Sequence, residues 1–340
     1  MQGICTRIHP IVRAIFFALM LLPLSEQPTV EASNSPIIRR FEGHTDWVLD
    51  AAFSPDGQTA LSASSDHTLI LWDIATGEPM RSLVGHADFV SSVAFSPDGQ
   101  TAFSGSCAVE VDNVCPNTEL ILWDVGTGEP LRRLEGDAGW ITSIAFSPDG
   151  QIALSSSTAG TILWDVATGE RLHTFEDEPS TALNIAFSPD GRSAFAAYAT
   201  DALFVWDLEP VAIRHRFDKR IAPVESVAFT ADASMALFAY SSDEDADFLM
   251  LWDTMTGFTV REFEGDIDEI TSVALSPNAE TFLTGTYAGT LALWDVTSGE
   301  IIWRFTEHES IVKSIAFSPD GQTALSTSID GMILWDVTTD

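Results

Sequence analysis

Cysteine is scarce in this chain: 3 of 340 residues. Cys5 sits in the N-terminal leader, which leaves Cys107 and Cys115. Two cysteines with no histidine nearby are half a zinc site, which makes a weak case for a structural zinc centre. Basic residues are scarce too, 16 Lys and Arg against 50 Asp and Glu, for a net charge of −34. Such a surface repels nucleic acid and anionic lipid, and it favours basic partners and weak binding of divalent cations. Long hydrophobic runs are missing. The apolar run from Ala14 to Leu22 falls short of the ~20 residues that span a membrane. Catalytic signatures are missing as well: no Gly-x-Ser-x-Gly elbow, no His-Glu-x-x-His, no Cys-x-x-Cys and no phosphate-cradling glycine loop. The expectation is a chain with no cofactor and no enzymatic activity.

What is present begins with an address. Arg7 and Arg13 precede the short apolar run, and Val30-Glu31-Ala32 before Ser33 offers a small-residue cleavage site, with Pro23-Leu24-Ser25 as the alternative. Residues 1–32 therefore read as a cleaved signal peptide and 33–36 as a short linker. The mature protein is expected to be exported, to an envelope space such as the periplasm or to the medium, with no integral membrane span. In an exported protein, Cys107 and Cys115 read as a disulfide across one surface insertion, which lies between Gly105-Ser106 and Glu119-Leu120.

The rest of the chain is periodic. Trp-Asp recurs seven times: Trp72-Asp73, Trp123-Asp124, Trp164-Asp165, Trp206-Asp207, Trp252-Asp253, Trp294-Asp295 and Trp335-Asp336. The spacings are 51, 41, 42, 46, 42 and 41 residues, close to the ~40–45 of a propeller repeat. Upstream of each pair lies a turn, Ser-Pro-Asp-Gly at Ser54 to Gly57, Ser96 to Gly99, Ser147 to Gly150, Ser188 to Gly191 and Ser318 to Gly321. Repeats five and six blur it to Thr230-Ala231-Asp232-Ala233 and Ser276-Pro277-Asn278-Ala279. Downstream come Thr-Gly-Glu or Ser-Gly-Glu turns, as at Thr76-Gly77-Glu78 and Ser298-Gly299-Glu300. Proline presets φ, aspartate bonds nearby backbone and glycine takes left-handed φ, so these read as tight turns between about four short strands per repeat.

The pattern resembles the WD40-repeat family over residues 37–340, in an exported, bacterial-type form. The resemblance implies one all-β domain, a seven-bladed WD40-type β-propeller. The segment Ile37 to Phe41 would be an outer strand without inner strands of its own, and would close the ring by pairing with the last blade. The family's structural tetrad maps onto His44, Ser62, Asp66 and Trp72 in repeat one and onto His308, Ser326, Asp330 and Trp335 in repeat seven. Repeat two keeps His86, Ser104 and Trp123, with Asn117 near the aspartate position. Asp137, Glu178 and Asp266 hold the histidine position in repeats three, four and six. These trios read as blade-stiffening hydrogen bonds and not as a hydrolase site. The two whole tetrads flank the seam of the ring and are expected to hold it shut.

In such rings, loops entering the innermost strands and turns between second and third strands share one face, the top. The resemblance puts Trp47, Phe89 and Trp140 there, with Asp46 and Asp88 beside the first two, facing an acidic sector of Asp243, Glu244, Asp245, Asp247, Glu264, Asp266, Asp268 and Glu269. Aromatics beside polar rims mark interaction patches. The basic cluster Arg214, His215, Arg216, Lys219 and Arg220 is expected to pair with nearby carboxylates. The functional expectation is an exported, non-enzymatic scaffold that binds a protein or peptide, basic in character, through its top face. The alternative is an exported lactonase- or hydrolase-like propeller with a metal in the channel. Against it, the innermost strands offer mostly hydroxyls and apolar groups, with Asp50, Asn184, Glu225 and Lys313 as isolated exceptions.

Overall fold

The computed structural model describes residues 36–108, 117–135, 139–175, 181–200, 202–218, 224–230, 232–240, 247–263 and 269–338. Residues Pro36–Asp340 form one compact unit. All elements among the described residues are β-strands, arranged as seven antiparallel sheets of four strands each. Blade one runs outward through Val48–Phe53, Thr59–Ser64, Thr68–Asp73 and Pro79–Val84. The innermost strands of blades two to seven are Val90–Phe95, Ile141–Phe146, Ala182–Phe187, Val224–Phe229, Ile270–Leu275 and Ser314–Phe317. Each touches the next, and Ser314–Phe317 returns to Val48–Phe53, so the ring is closed. The expected seven-bladed propeller is the observed fold. Ile37–Phe41 is the outer strand of blade seven and pairs with Gly331–Asp336, with Phe41 opposite Met332 and Arg40 opposite Ile333.

Burial explains the strand sequences. Second and third strands lie between neighbouring blades, with both faces covered, so Thr59–Ser64 and Thr68–Asp73 are buried almost throughout. Outer strands such as Pro79–Val84 are largely exposed. The core consists of apolar clusters that each bridge two blades. Ala60, Ile70 and Trp72 of blade one, for example, pack with Leu325, Met332 and Leu334 of blade seven. No blade buries its faces alone, so stability is cooperative around the ring.

The turn motifs join blades as well as strands. Asp56 Oδ1 accepts from Ser54 Oγ at 2.6 Å and from the Gln58 amide at 3.0 Å, while Gly57 takes φ +68°. Pro55 then packs on Gly99 of the next blade, Pro97 on Gly150, Pro148 on Gly191 and Pro319 on Gly57. In every blade but the fourth, the Trp-Asp aspartate caps the turn that follows it: Asp73 Oδ1, for example, accepts from the Thr76 amide at 2.7 Å and from its hydroxyl at 2.8 Å. An outer-strand arginine of the preceding blade clips onto that turn. Arg39 donates to the Thr76 and Ala75 carbonyls at 2.5 and 2.6 Å, Arg132 to Ala167 at 2.7 Å, and Arg261 to Ser298 at 2.6 Å. The turn glycine serves two needs here, a left-handed φ of +74° at Gly77 and room for the arginine stem lying against it.

The candidate binding face and central channel

The two tetrads are complete hydrogen-bonded chains. In blade seven, Trp335 Nε1 donates to Ser326 Oγ at 2.7 Å, Ser326 Oγ lies 2.6 Å from His308 Nε2, and His308 Nδ1 lies 2.7 Å from Asp330 Oδ1. Blade one repeats it, with Trp72 to Ser62 at 2.8 Å, Ser62 to His44 at 2.6 Å, and His44 to Asp66 at 2.8 Å. Burial lowers the His308 pKa below its ordinary value, against the pull of Asp330. His308 is therefore neutral, accepting from Ser326 at Nε2 and donating from Nδ1 to an ionised Asp330. Burial would raise Asp330, but the hydrogen bonds it accepts from His308, Ser328 and the Glu309 amide outweigh that and hold it low. The serine carries no exposed hydroxyl, as a nucleophile would require: Ser62 and Ser326 are fully buried.

Blade two differs from expectation. His86 Nε2 meets Ser104 Oγ at 2.5 Å, but the carboxylate beside Nδ1 is Glu119, at 3.3 Å, from the third strand itself. Glu119 also pairs with Arg133 of the outer strand. A strand glutamate thus stands where blade one has Asp66; the insertion at 109–116 and the side chain of Asn117 lie outside the described residues. In blades four and five the position of the tetrad hydroxyl holds Ala196 and Phe238. Aromatic packing takes over there: Phe204 on Trp206 at 5.7 Å between ring centroids, and Phe238 on Trp252 at 4.4 Å. Asp137, Glu178 and Asp266 lie outside the described residues, as do Cys115, the Cys107 side chain and most of the acidic sector. Within that sector Asp247 is tied down, Oδ2 accepting from the Ile270 amide at 2.8 Å. In the basic cluster Arg214 pairs with Asp207 and Arg216 lies over the Phe204 ring.

Trp47, Phe89 and Trp140 immediately precede the innermost strands of three successive blades, and all three are half-buried. Their backbones are fixed. Asp46 Oδ1 accepts from the Trp47 amide and Asp88 Oδ1 from the Phe89 amide, both at 2.8 Å, and Thr158 Oγ1 from the Trp140 amide at 3.0 Å. Phe89 also meets the His67 ring of the adjoining turn edge-on, centroids 5.7 Å apart, and Lys313 Nζ lies 4.9 Å above the Trp47 ring. The same face carries two apolar residues that the sequence reading passed over, Tyr287 and Ile329, 61% and 44% exposed. Both sit in turns between second and third strands. An aromatic in the Tyr287-Ala288-Gly289 turn was the available signal.

The channel explains two of the four polar exceptions. Asp50 Oδ1 accepts from Ser314 Oγ of blade seven at 2.8 Å and from the Ala51 amide at 2.9 Å, and Oδ2 accepts from the Val93 amide of blade two at 3.0 Å. Burial pushes the Asp50 carboxyl above the usual aspartate value despite these donors. Asn184 accepts from Ser143 at 3.2 Å and donates to the Val227 carbonyl at 2.7 Å, tying blades three, four and five. One residue earlier on the strands, Ser91, Thr142 and Thr271 donate to the Ile141, Ala182 and Val312 carbonyls of the following blades at 2.9, 2.5 and 2.7 Å. The repeated hydroxyls are thus two belts of inter-blade hydrogen bonds. They surround a cavity of about 460 Å³ whose lining includes Trp140, Glu225 and Lys313. Among the described residues no group of three or more His, Cys, Asp or Glu could hold a metal ion, and no helix is long and apolar enough to cross a membrane.

Comparison with known proteins agrees with this architecture. The family model "WD domain, G-beta repeat" matches residues 35–73, 77–115, 128–165, 257–295 and 299–336, together more than half of the chain. Nuclear distribution protein nudF 2 of Penicillium rubens is 31% identical over 135 residues, 36% of this chain and 29% of the relative. A guanine nucleotide-binding protein subunit beta of Oryza sativa subsp. japonica is 30% identical over 130 residues, 38% of this chain and 33% of the relative. Nuclear distribution protein PAC1 of Arthroderma benhamiae is 26% identical over 141 residues, 37% of this chain and 30% of the relative. The chain thus spans about a third of the length of these relatives. The unmatched stretch covers blades four and most of five, where aromatic packing replaces the tetrad. On the repeat matches and the closed ring of seven blades, the chain belongs to the WD40 repeat family.

Proposed function

We propose that this propeller is an exported, non-enzymatic scaffold that holds a protein or peptide partner on the face bearing Trp47, Phe89 and Trp140. The carrying observation is that row of half-buried aromatics, one per successive blade, each with its amide hydrogen-bonded in place. Aromatics ordered in advance lose little freedom on binding, and such residues dominate interface energies. Tyr287 and Ile329 extend the apolar area. The relatives support an assembly role: one is by name a subunit of a larger protein. The net charge of −34 favours a basic partner. Export rests on the leader in residues 1–32 and on a Cys107–Cys115 disulfide, which a thiol-alkylation mass shift tests directly. The metal-dependent hydrolase reading is disfavoured because most channel hydroxyls are committed to neighbouring blades.

The test is affinity capture from envelope and medium fractions of the source cells with the wild-type chain and a Trp47→Ala, Trp140→Ala double variant. A partner held by the wild type and lost by the folded double variant supports the proposal. Equal capture by both moves the site off this face.

A further inference from the structure

Lysine is nearly absent from this protein: Lys219 and Lys313 are the two in 340 residues. Lys313 stands at the mouth of the channel, half-buried, its ammonium over the face of Trp47. Its side chain makes no hydrogen bond or ion pair with another described residue. Burial lowers its pKa, with no opposing carboxylate to restore it. The channel position of Lys313 is occupied around the ring by Leu49, Ser91, Thr142, Leu183, Glu225 and Thr271, at the second residue of each innermost strand. Ser91, Thr142 and Thr271 are used in inter-blade bonds. Leu49 and Leu183 are apolar. Glu225 is exposed, and its carboxylate has no described partner either. Two opposite charges therefore line the same cavity, on blades five and seven with Thr271 of blade six between them, and among the described residues neither has an ion-pair partner.

The half-buried Lys313 ammonium rests on the Trp47 face, and no described residue pairs it with a carboxylate. The cavity of about 460 Å³ is of the size that takes a small molecule. We propose that the channel mouth is a receptor for a free zwitterion of α-amino acid or dipeptide size, its carboxylate on Lys313 and its ammonium on Glu225, with its side chain toward Trp140. The site shares Trp47 and Trp140 with the protein-partner proposal, but Lys313→Met and Glu225→Gln leave those aromatics in place, so failure of one proposal is distinguishable from failure of the other.

Titration calorimetry on the full chain tests it, with glycine, glutamate, arginine, phenylalanine and the dipeptide glycyl-phenylalanine as probes. N-acetyl and methyl-ester forms of glycine and phenylalanine serve as singly charged analogues. Saturable binding is expected for at least one zwitterion, weakened about tenfold or more by Lys313→Met and by Glu225→Gln, because each removes a charge-assisted contact. The analogues distinguish the two roles. The methyl ester, without a carboxylate, should bind Lys313→Met as well as it binds the wild type, and the N-acetyl form should bind Glu225→Gln as well as the wild type. Absence of saturable binding to every probe up to about 10 mM overturns the proposal. So does binding that survives unchanged in both variants, each checked for an unaltered melting midpoint.

Discussion

Replacing Asp330 by alanine removes the terminal acceptor of the blade-seven chain. His308 Nδ1, 2.7 Å from Asp330 Oδ1, then has no acceptor, and the His308 side chain has no exposed surface through which water could substitute. A hydrogen bond to a charged group, lost with one buried partner left behind, costs about 1.5–3 kcal/mol. The second oxygen of Asp330 adds less: it accepts from the Glu309 amide at 3.3 Å and lies 3.9 Å from Arg40 of the closing strand, a half-exposed pair worth under about 0.5 kcal/mol. The total is about 2–3 kcal/mol. At about 2–4 °C per kcal/mol for a chain of this size, the melting midpoint should fall by roughly 4–12 °C. Asp66→Ala should act similarly, since His44 is held the same way and its side chain is nearly as buried. Hydrogen exchange should distinguish the two variants. Amides of Ile37–Phe41 should exchange faster in Asp330→Ala than in Asp66→Ala, because only Asp330 lies beside Arg40 of that strand. If both variants melt with the wild type, the tetrads do not hold the seam and the reasoning fails.

Three further outcomes follow from the turns and the histidines. Ala279 takes φ +56° where most repeats have glycine; Ala279→Gly should relieve left-handed strain and raise stability by about 0.5 kcal/mol net of the freer unfolded chain, whereas Ala233→Gly should gain nothing, because the Ala233 methyl is buried. Gly128 has φ +75° and Arg81 Cδ only 2.4 Å from where a Cβ would sit; Gly128→Ala should cost about 2 kcal/mol or more in chemical denaturation, and Gly126→Ala, which meets only Asp124 Oδ1 at 3.4 Å, should cost far less. Burial lowers the His86 pKa from 6.5, so the unfolded chain binds that proton first: the contribution of neutral His86 is whole above about pH 6.5 and is lost as pH falls through the folded value. Relative to His86→Gln, the wild-type midpoint should therefore drop as pH falls below about 6.5, and parallel profiles would contradict this.

The blade count, the turns and the ring closure were legible in the sequence because the residues that set them act locally. Asp56 and Asp73 bond within a few residues of themselves, and Gly57 and Gly77 answer a local φ. The closing strand was legible because Ile37 to Phe41 had no inner strands of its own. What stayed hidden is non-local. Glu119 in place of an aspartate depends on cross-strand register, and the arginine clips join residues 35 to 37 positions apart on different blades. Asp50 and Asn184 stood out as polar exceptions, but their partners lie on neighbouring blades, so no local pattern marked them as structural. Trp47 and Phe89 are half-buried, touching Lys313 and His67, which come from distant or turn positions that periodicity does not pair.

The aromatic face of the ring is proposed to hold the partner. Hydrogen exchange of the full chain, alone and with its captured partner, tests this most directly. Exchange should slow around Trp47, Phe89, Trp140 and Tyr287, with the Ser54 to Gly57 and Ser96 to Gly99 turns at the opposite end unchanged. Protection confined to those turns or to the outer strands, with the aromatic loops unaffected, would contradict it.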